Sequence, residues 1–357
     1  MSESGRTVVP AGVAPGEVTE WLAARVPSLV PPLSFTPVVG GHSNLTYVVA
    51  DGAGTRWVLR RPPLGHVLAT AHDMGREHRI LAALGSGRTP VPVPPVVGLS
   101  ADDSVNGAPF YVMEFVDGAV LRNAADATRE LDIHGRRRAG EQLADVLAAI
   151  HAVDVDAVGL GDLGRREDYI GRQLRRWHRQ WEATRVPGVE GIDEVHAALS
   201  ASVPEQQGAT IVHGDFRLDN CIVGPDGSVR AVLDWELCTL GDPLADVGTT
   251  LVYWVERGED GGLLPSDGTA AEGFVNRAAF CARYAAATGR DLSGIAWYAA
   301  FAYWRLACIL AGVLDRYTAG AMGDQAGDGG ASRFTREGLA GLAAKARTVL
   351  EEGKFVA

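Results

Sequence analysis

The stretch His213-Gly-Asp-Phe-Arg-Leu-Asp-Asn220, followed by Val232-Leu-Asp-Trp-Glu236, decides how this chain is interpreted. Asp234 comes fourteen positions after Asn220, and apolar residues typical of strands precede both stretches. In the pattern H-x-D-x-x-x-x-N the Asp can accept a hydroxyl proton, while the Asn and a later Asp can hold magnesium. The spacing therefore predicts phosphoryl transfer from a nucleoside triphosphate, with Asp215 as the base and Asn220 and Asp234 as metal ligands. The alternative is a hairpin with polar turn residues.

Neighbouring polar residues receive supporting roles. Arg217 is a catalytic candidate, because its charge can neutralise the transferring phosphoryl group. His213 is expected to orient the loop. Glu236 is left open between a second metal ligand and a structural acceptor, and Asp242 and Asp246 are expected to cap a helix and brace the loop.

The bulk composition excludes several classes of protein. The 357 residues carry a formal net charge of -11, which argues against nucleic acid as the main partner. Four scattered cysteines without a C-x-x-C pair argue against a disulfide framework. No apolar signal stretch opens the chain and no run of about twenty apolar residues interrupts it. We expect a cytoplasmic protein that binds a small molecule and no membrane; the pattern does not indicate an oligomeric state.

The order of predicted elements indicates an α+β, two-lobed architecture. A small sheet with one helix is predicted at about 33–116, and the pattern becomes helical after Asp117-Gly118. This divides the chain into an N-terminal nucleotide-binding lobe, 1–117, and a C-terminal catalytic and substrate-binding lobe, 118–357. The predicted helices are 16–27, 70–84, 136–152, 167–183, 192–201, 270–288, 294–317 and 333–352, with a glycine-rich loop at 319–331.

The N-terminal lobe offers candidate phosphate-binding groups. Gly41, Ser43 and Asn44 lie in a turn whose backbone N–H groups and hydroxyl can approach phosphate, although an ordinary hairpin turn fits the same residues. Arg60 occupies a strand position suited to the phosphates, and Glu77 on the following helix is its expected ion-pair partner. Arg61, on the other face of the strand, competes for this role.

Met113-Glu-Phe-Val116 ends the predicted sheet. Backbone groups of Glu114 and Val116 are candidates for binding an adenine ring at this point, because the segment joins the two lobes.

A basic stripe follows the predicted helix 167–183. Arg172, Arg175, Arg176 and Arg179 share one face at spacings of three and four residues. The stripe suits an anionic substrate, and a solvated face over a core anchored by Trp177 and Trp181 is the alternative.

Taken together, these motifs resemble the aminoglycoside phosphotransferase / choline kinase family, which has the protein-kinase-like fold. The resemblance covers about residues 30–320 and rests on Gly-Gly-x-Ser-Asn, Val-Leu-Arg-Arg-Pro-Pro, Arg-Glu-x-Arg-Ile and the two stretches that open this section. It implies ATP, Mg²⁺ and transfer to a small-molecule hydroxyl. On that basis Asp215 matches the base, Asn220 and Asp234 the metal ligands, and Arg60 the phosphate-binding position.

Within that family, the arginines 60–61 and the Arg/Trp-rich helix are most similar to the branch that also occurs fused to acyl-CoA dehydrogenases. The resemblance implies a hydroxyacyl-CoA-like acceptor, with an aminoglycoside or choline-like amino-alcohol as the alternative. A non-catalytic nucleotide-binding regulator is the hypothesis from another class. A protein kinase is disfavoured because Asp-Trp-Glu stands in place of D-F-G.

Overall fold

The computed structural model describes residues 10–38, 44–64, 73–259, 261–262, 264, 266–318 and 335–356. The chain folds into two compact units. The first contains the residues up to Asp117 together with Arg230–Glu236, and the second contains Gly118–Val229 and the residues from Leu237 onward. Asp234, which the sequence analysis assigned to a lobe beginning at residue 118, therefore belongs to the first unit.

The first unit is built on a five-stranded antiparallel sheet in the order β1-β2-β3-β5-β4. Its elements are α1 Pro15–Ala23, β1 Ser34–Pro37, β2 Leu45–Ala50, β3 Arg56–Arg61, α2 Met74–Leu84, β4 Val96–Ser100 and β5 Phe110–Glu114. The core of the sheet and of α1 includes Val18, Leu22, Val49, Leu59 and Val112.

Strand β3 shows how the two-residue period places the charged groups. Trp57, Leu59 and Arg61 are buried on one face, while Val58 and Arg60 lie on the other. Arg61 donates to the backbone carbonyls of Gly12 and Asn106, so the strand orients the two arginines to different partners.

Helix α2 begins where the Asp73 side chain accepts from the N–H of Arg76. The buried residues of α2 are Met74, Glu77, Ile80, Leu81 and Leu84, and His78 is partly exposed. Glu77 is therefore a buried acid, and an ion pair can compensate the cost of burying its charge.

The second unit is mainly helical. Its helices are α3 Ala124–Glu130, α4 Ile133–His151, α5 Tyr169–Thr184, α6 Ile192–Ala201, α7 Pro243–Tyr253, α8 Arg277–Thr288, α9 Ile295–Thr318 and α10 Arg336–Glu352. Strand β6, Thr210–Val212, pairs antiparallel with β9, Thr239–Gly241. Strand β7 covers Cys221–Val223, and β8 covers Val229–Val232, where the chain passes into the first unit.

Helices α7 and α9 pack closely at Gly248. A side chain at that position would bring its Cβ within 2.7 Å of the Tyr298 backbone, so only glycine allows this approach. Among the described residues one helix, over Ile295–Arg316, has the length and apolarity to cross a membrane, and most of that segment is buried. A helix in the core of a folded protein is buried in the same way.

Several predicted bounds need correction. The helix expected at 270–288 begins only at Arg277, because the Asn276 side chain caps it by accepting from the N–H of Ala279. The helix expected to reach residue 27 ends at Ala23. The short helix α3 was not predicted, since seven residues carry little periodic signal. The predicted loop at 319–331 lies outside the described residues.

Candidate active site

Residues 213–220, called the catalytic loop below, connect β6 to β7 in the second unit. The Asn220 side chain donates from Nδ2 to the Asp215 backbone carbonyl at 2.8 Å and to Asp215 Oδ2 at 2.9 Å. Within the described residues, no hydrogen bond engages Asp215 Oδ1 or Asn220 Oδ1. One carboxylate oxygen is therefore available to accept a proton, and one amide oxygen is available to a hard cation.

Arg217 bridges two carboxylates of the same loop. Its Nε donates to Asp215 Oδ2 at 3.1 Å, and its Nη1 donates to Asp219 Oδ2 at 2.7 Å. The guanidinium also lies over the Tyr253 ring, 5.0 Å from the centroid. Burial opposes the charge, but Asp215 and Asp219 outweigh it and raise the pKa of Arg217. Arg217 is thus a cation fixed by two carboxylates through Nε and Nη1, and no hydrogen bond within the described residues engages its Nη2.

Helices α7 and α9 hold the backbone of the catalytic loop. Asp246 accepts from the N–H of His213 at 2.5 Å and from the N–H of Gly214 at 2.8 Å, which is the bracing role that the sequence predicted. Arg305 donates to the carbonyl of Gly214 from the other side. Asp242 caps α7 by accepting from the N–H of Leu244 at 3.0 Å.

Asp246 also meets a histidine that the sequence analysis did not identify. His151 is buried on α4; its Nε2 lies 3.4 Å from Asp246 Oδ2 and its Nδ1 lies 2.7 Å from the Tyr284 hydroxyl. Burial lowers the pKa of His151, although Asp246 opposes the shift. Asp246 therefore connects the catalytic loop to a buried polar network that contains His151 and Tyr284. No motif marks His151, because its role depends on contacts between distant helices.

The first unit contains a charged cluster around Arg60. Its Nη2 donates to Asp234 Oδ1 at 2.7 Å and lies 3.8 Å from Glu236 Oε2. Its Nε lies 3.0 Å from Glu77 Oε2 as an ion pair, without the alignment of a hydrogen bond. The predicted partnership of Arg60 with Glu77 is present, and Asp234 is a partner that the sequence did not predict.

Buried polar groups complete this cluster. Asn44 donates from Nδ2 to Glu77 Oε1 at 3.1 Å and to Glu236 Oε2 at 3.4 Å, and the Tyr111 hydroxyl donates to Glu77 Oε2 at 3.0 Å. Burial alone would lower the pKa of Arg60, but Glu77 and Asp234 outweigh it and raise that pKa. Burial raises the pKa of Glu77, which Arg60 counteracts. The cluster holds Arg60 as a permanent cation in one orientation.

Asp234 adopts a backbone conformation unusual for its residue type. Its φ is +63°, in the left-handed region where Asp and Asn occur more often than other side chains. Oδ1 accepts from Arg60, whereas no hydrogen bond within the described residues engages Oδ2. Residues in such strained conformations cluster at functional sites, which makes Asp234 a candidate functional residue.

The remaining predicted nucleotide contacts are only partly visible. Gly41 and Ser43 lie outside the described residues. Glu114 ends β5, and its N–H donates to the carbonyl of Pro95 at 2.8 Å, so that group is not available to a ligand. No backbone hydrogen bond engages Val116 in the described part of the chain, which leaves its N–H and carbonyl open.

The predicted arginine stripe lies on α5. Arg175 donates to Asp168 Oδ2 at 2.6 Å, and Arg172 donates to the carbonyl of Arg165. Arg176 lies over the Trp177 ring at 5.0 Å, and Arg179 donates to the carbonyl of Arg175. Neither Arg176 nor Arg179 pairs with a carboxylate of the described residues. The stripe thus keeps two exposed, unpaired cations above buried Trp177.

The predicted metal ligands, Asn220 in the second unit and Asp234 in the first, each offer the kind of oxygen that suits magnesium rather than a transition metal. An amide oxygen of Asn220 and a carboxylate oxygen of Asp234 are hard ligands that Mg²⁺ accepts, usually together with water and phosphate oxygens. The described residues hold no cluster of three or more His, Cys, Asp or Glu side chains suited to a metal ion. The four cysteines are buried free thiols.

Three kinds of comparison place these features among known proteins. A family model described as the phosphotransferase enzyme family matches residues 34–300. The mouse protein acyl-CoA dehydrogenase family member 10 is 35% identical over 302 residues, which are 81% of this chain and 27% of that protein. The chain therefore corresponds to about a quarter of the length of that relative.

Solved structures show the same architecture. A candidate aminoglycoside phosphotransferase from Ralstonia eutropha is 31% identical, with a TM-score of 0.79, over 96% of this chain and 100% of that chain. An aminoglycoside phosphotransferase solved with AMP-PNP and hygromycin B is 16% identical, with a TM-score of 0.60, over 94% and 98% of the two chains, so it shows the fold alone. The predicted α+β, kinase-like fold class is confirmed.

Proposed function

Because this chain belongs to the phosphotransferase enzyme family, we propose that it transfers the γ-phosphate of ATP to a hydroxyl group of a small molecule, with Mg²⁺ as cofactor. The family match confirms the resemblance predicted from the motifs. The observation that carries the proposal is the state of Asp215. One of its carboxylate oxygens is bonded by Arg217 and Asn220, and the other has no hydrogen bond within the described residues.

Asp215 acts as the base in this proposal. The acceptor oxygen bonds to the γ-phosphorus as the bond from that phosphorus to the β–γ bridging oxygen breaks and ADP leaves. The hydroxyl proton passes to Asp215 Oδ1, late in a loose transition state, so orientation of the hydroxyl matters more than basicity. Arg217 supplies a nearby positive charge, and Asn220 fixes the carboxylate through two hydrogen bonds.

The groups of the first unit serve the nucleotide. Arg60 is oriented by Glu77 and Asp234 and can bind phosphate oxygens in the fork geometry of a guanidinium. Asn220 and Asp234 would hold Mg²⁺, which neutralises charge on the phosphates when it is bound. Gly41, Ser43 and Asn44 remain the proposed contacts to the phosphates. The carbonyl of Glu114 and the backbone of Val116 remain the proposed contacts to the adenine ring, since the N–H of Glu114 bonds Pro95.

We propose an anionic, hydroxyacyl-CoA-like acceptor. Arg176 and Arg179 present unpaired charge, and Trp177 beneath them lies 6.0 Å from the guanidinium of Arg305, which bonds the catalytic loop. The stripe is thereby connected to the loop inside one unit. The name of the mouse relative agrees with an acyl-CoA acceptor.

An aminoglycoside is the second candidate, supported by the description of the Ralstonia protein. Aminoglycosides are polycations, however, and an arginine face repels them. The charge of the α5 surface therefore favours the anionic acceptor.

An acceptor panel tests the proposal. Purified protein is incubated with Mg·ATP and, in parallel, 4-hydroxypentanoyl-CoA, kanamycin or choline, and ADP release is measured with mass detection of the phosphorylated product. We expect product with the CoA thioester. Robust product with kanamycin and none with the thioester would reverse the choice of acceptor.

Two matched variants separate an enzyme from a nucleotide-binding regulator. D215N should lower kcat by about 10²- to 10⁴-fold, the usual contribution of a positioned base, with little change in Mg·ATP affinity measured by calorimetry. D226N, in an exposed turn of the same unit, should behave as wild type. Absence of turnover with every acceptor, together with intact Mg·ATP binding, would instead support the regulator.

A further inference from the structure

We propose that Arg305 is a positioning residue that holds the Gly214–Asp215 peptide of the catalytic loop and thereby sets the direction of the Asp215 carboxylate. The inference rests on the proposed function, in which Asp215 is the base. It concerns a residue of α9 that lies 90 positions beyond Asp215 in the sequence and belongs to no motif.

Gly214 is held on both of its backbone groups. Its N–H donates to Asp246 Oδ1 at 2.8 Å, and its carbonyl accepts from Arg305 Nη2. Its φ is +86°, a conformation that glycine adopts without strain but that other residues resist. Because two bonds from two helices fix this flexible residue, the next residue, Asp215, leaves it in a defined direction.

Arg305 is poorly explained as an ordinary stabilising residue. Only 7% of its surface is exposed, and it takes part in no ion pair within the described part of the chain. A buried guanidinium without a carboxylate is costly. Its hydrogen bond to Gly214 and its approach to the Trp177 ring, at 6.0 Å, are the contacts that compensate the cost.

The two charges that hold Gly214 have opposite signs. Asp246 brings a negative charge to the N–H of Gly214, while Arg305 brings a positive charge to its carbonyl. Each charge matches the dipole of the peptide group that it contacts, so the loop peptide links a buried anion to a buried cation. Loss of Arg305 would leave Asp246 in place and release only the carbonyl side, adjacent to Asp215.

Arg305 also lies near other groups of the loop. Burial raises the pKa of the Tyr253 hydroxyl, Asp215 adds to that rise, and Arg217 and Arg305 both oppose it. Tyr253 in turn stacks under Arg217. The neighbourhood shared by these side chains supports an action of Arg305 on the loop rather than on a remote surface.

The test compares R305M and R305K with the control R277M. Arg277 is also a buried arginine of the second unit, 8% exposed, but it bonds Glu259 and the carbonyl of Leu251 instead of the loop. Hydrogen exchange of peptides covering 210–220 is followed by mass spectrometry, and kcat and KM are measured with Mg·ATP and 4-hydroxypentanoyl-CoA.

We expect faster exchange of the loop peptides in R305M and a kcat lower by about 10- to 100-fold, since a misplacement of about 1 Å costs that much. KM for ATP should change little. R305K keeps the charge and can still donate a hydrogen bond, so its exchange and kcat should fall between those of wild type and R305M. R277M should leave both quantities at their wild-type values even if it lowers the melting temperature.

Three outcomes would overturn the inference. The first is unchanged exchange of the loop in R305M, or in R305K if R305M does not fold. The second is an equal effect of R277M, which would indicate general destabilisation. The third is a rise in KM for the acceptor at constant kcat, which would make Arg305 a substrate contact. If wild type transfers phosphate to no acceptor, the proposed function fails, while the exchange experiment still decides whether Arg305 holds the loop.

Discussion

Arg60 Nη2 donates a hydrogen bond of 2.7 Å to Asp234 Oδ1, although the two residues are 174 positions apart in the sequence. The first unit therefore brings a proposed phosphate-binding cation together with a proposed metal ligand. Because the bond occupies only one oxygen of Asp234, the other stays available for a cation. The orientation of the Arg60 side chain therefore depends on Asp234 as well as on the position of Arg60 in β3.

Replacing Arg60 by Lys should weaken nucleotide binding although the charge is kept. A single ammonium cannot contact Glu77 and Asp234 in the geometry of the guanidinium fork. One lost hydrogen bond between charged groups is worth about 1.5–3 kcal/mol, so we expect KM for ATP to rise about tenfold or more. Steady-state kinetics measure this. Arg56→Lys, in an exposed ion pair on the same strand, is the control, and equal KM values in all three proteins would contradict the assigned role.

Replacing Asp234 by Asn should shift the magnesium dependence. Asn tolerates the left-handed φ of +63°, so the melting temperature should change little. Removing an outer-shell partner of a metal lowers metal affinity by about 10- to 100-fold. Because Asp234 is proposed as a direct ligand, the Mg²⁺ concentration that gives half-maximal turnover should rise by at least that factor. A magnesium titration of the initial rate tests it, with E236Q in parallel. A higher Mg²⁺ requirement in E236Q would identify Glu236 as a second ligand. An unchanged Mg²⁺ requirement in D234N would exclude Asp234 as a metal ligand.

Replacing Gly214 by Ala should lower the free energy of unfolding by more than the cost of the left-handed backbone conformation. A Cβ at this position would lie 3.0 Å from Leu237 Cβ and 3.1 Å from the Leu237 carbonyl oxygen. Gly289→Ala is the control, because Gly289 has a φ of +69° but no atom within 4 Å of an added Cβ. Both changes should cost about 1–2 kcal/mol of unfolding free energy for the left-handed conformation. Denaturant titration should show a larger loss in G214A, and only that variant should lose turnover.

The buried His151 predicts a pH-dependent stability. Burial lowers its pKa from the ordinary value of 6.5. Below pH 6.5 the unfolded chain therefore binds a proton that the folded chain does not, so the free energy of unfolding falls as the pH is lowered. His151→Gln should reduce this dependence between about pH 7 and pH 5.

Denaturant titrations at several pH values measure the slope. The exposed His134→Gln is the matched control and should retain the wild-type slope. An identical slope in wild type and H151Q would show that His151 takes up no proton on unfolding.

The local elements of this protein are predicted well where the pattern is long or capped. Helix α6 has its predicted bounds, Ile192–Ala201, and the Arg60–Glu77 pair follows from a strand and the next helix. Prediction failed where the signal was short, as in α3. It also failed for the start of α8, because the side-chain cap at Asn276 begins the helix at Arg277 and not at residue 270.

The sequence by itself determined the chemistry: the types and spacing of Asp215, Arg217 and Asn220, which lie within six consecutive residues, and the kinase-like fold class that they indicate. Only the tertiary structure decided which distant groups act on them. Arg305 and His151 contact the loop or Asp246 from separate helices, and Asp234 pairs with Arg60, which lies 174 positions away in the sequence. The physical reason is that a motif contains only residues that are close along the backbone. The partners of a buried charge are set by packing, which depends on the whole folded unit.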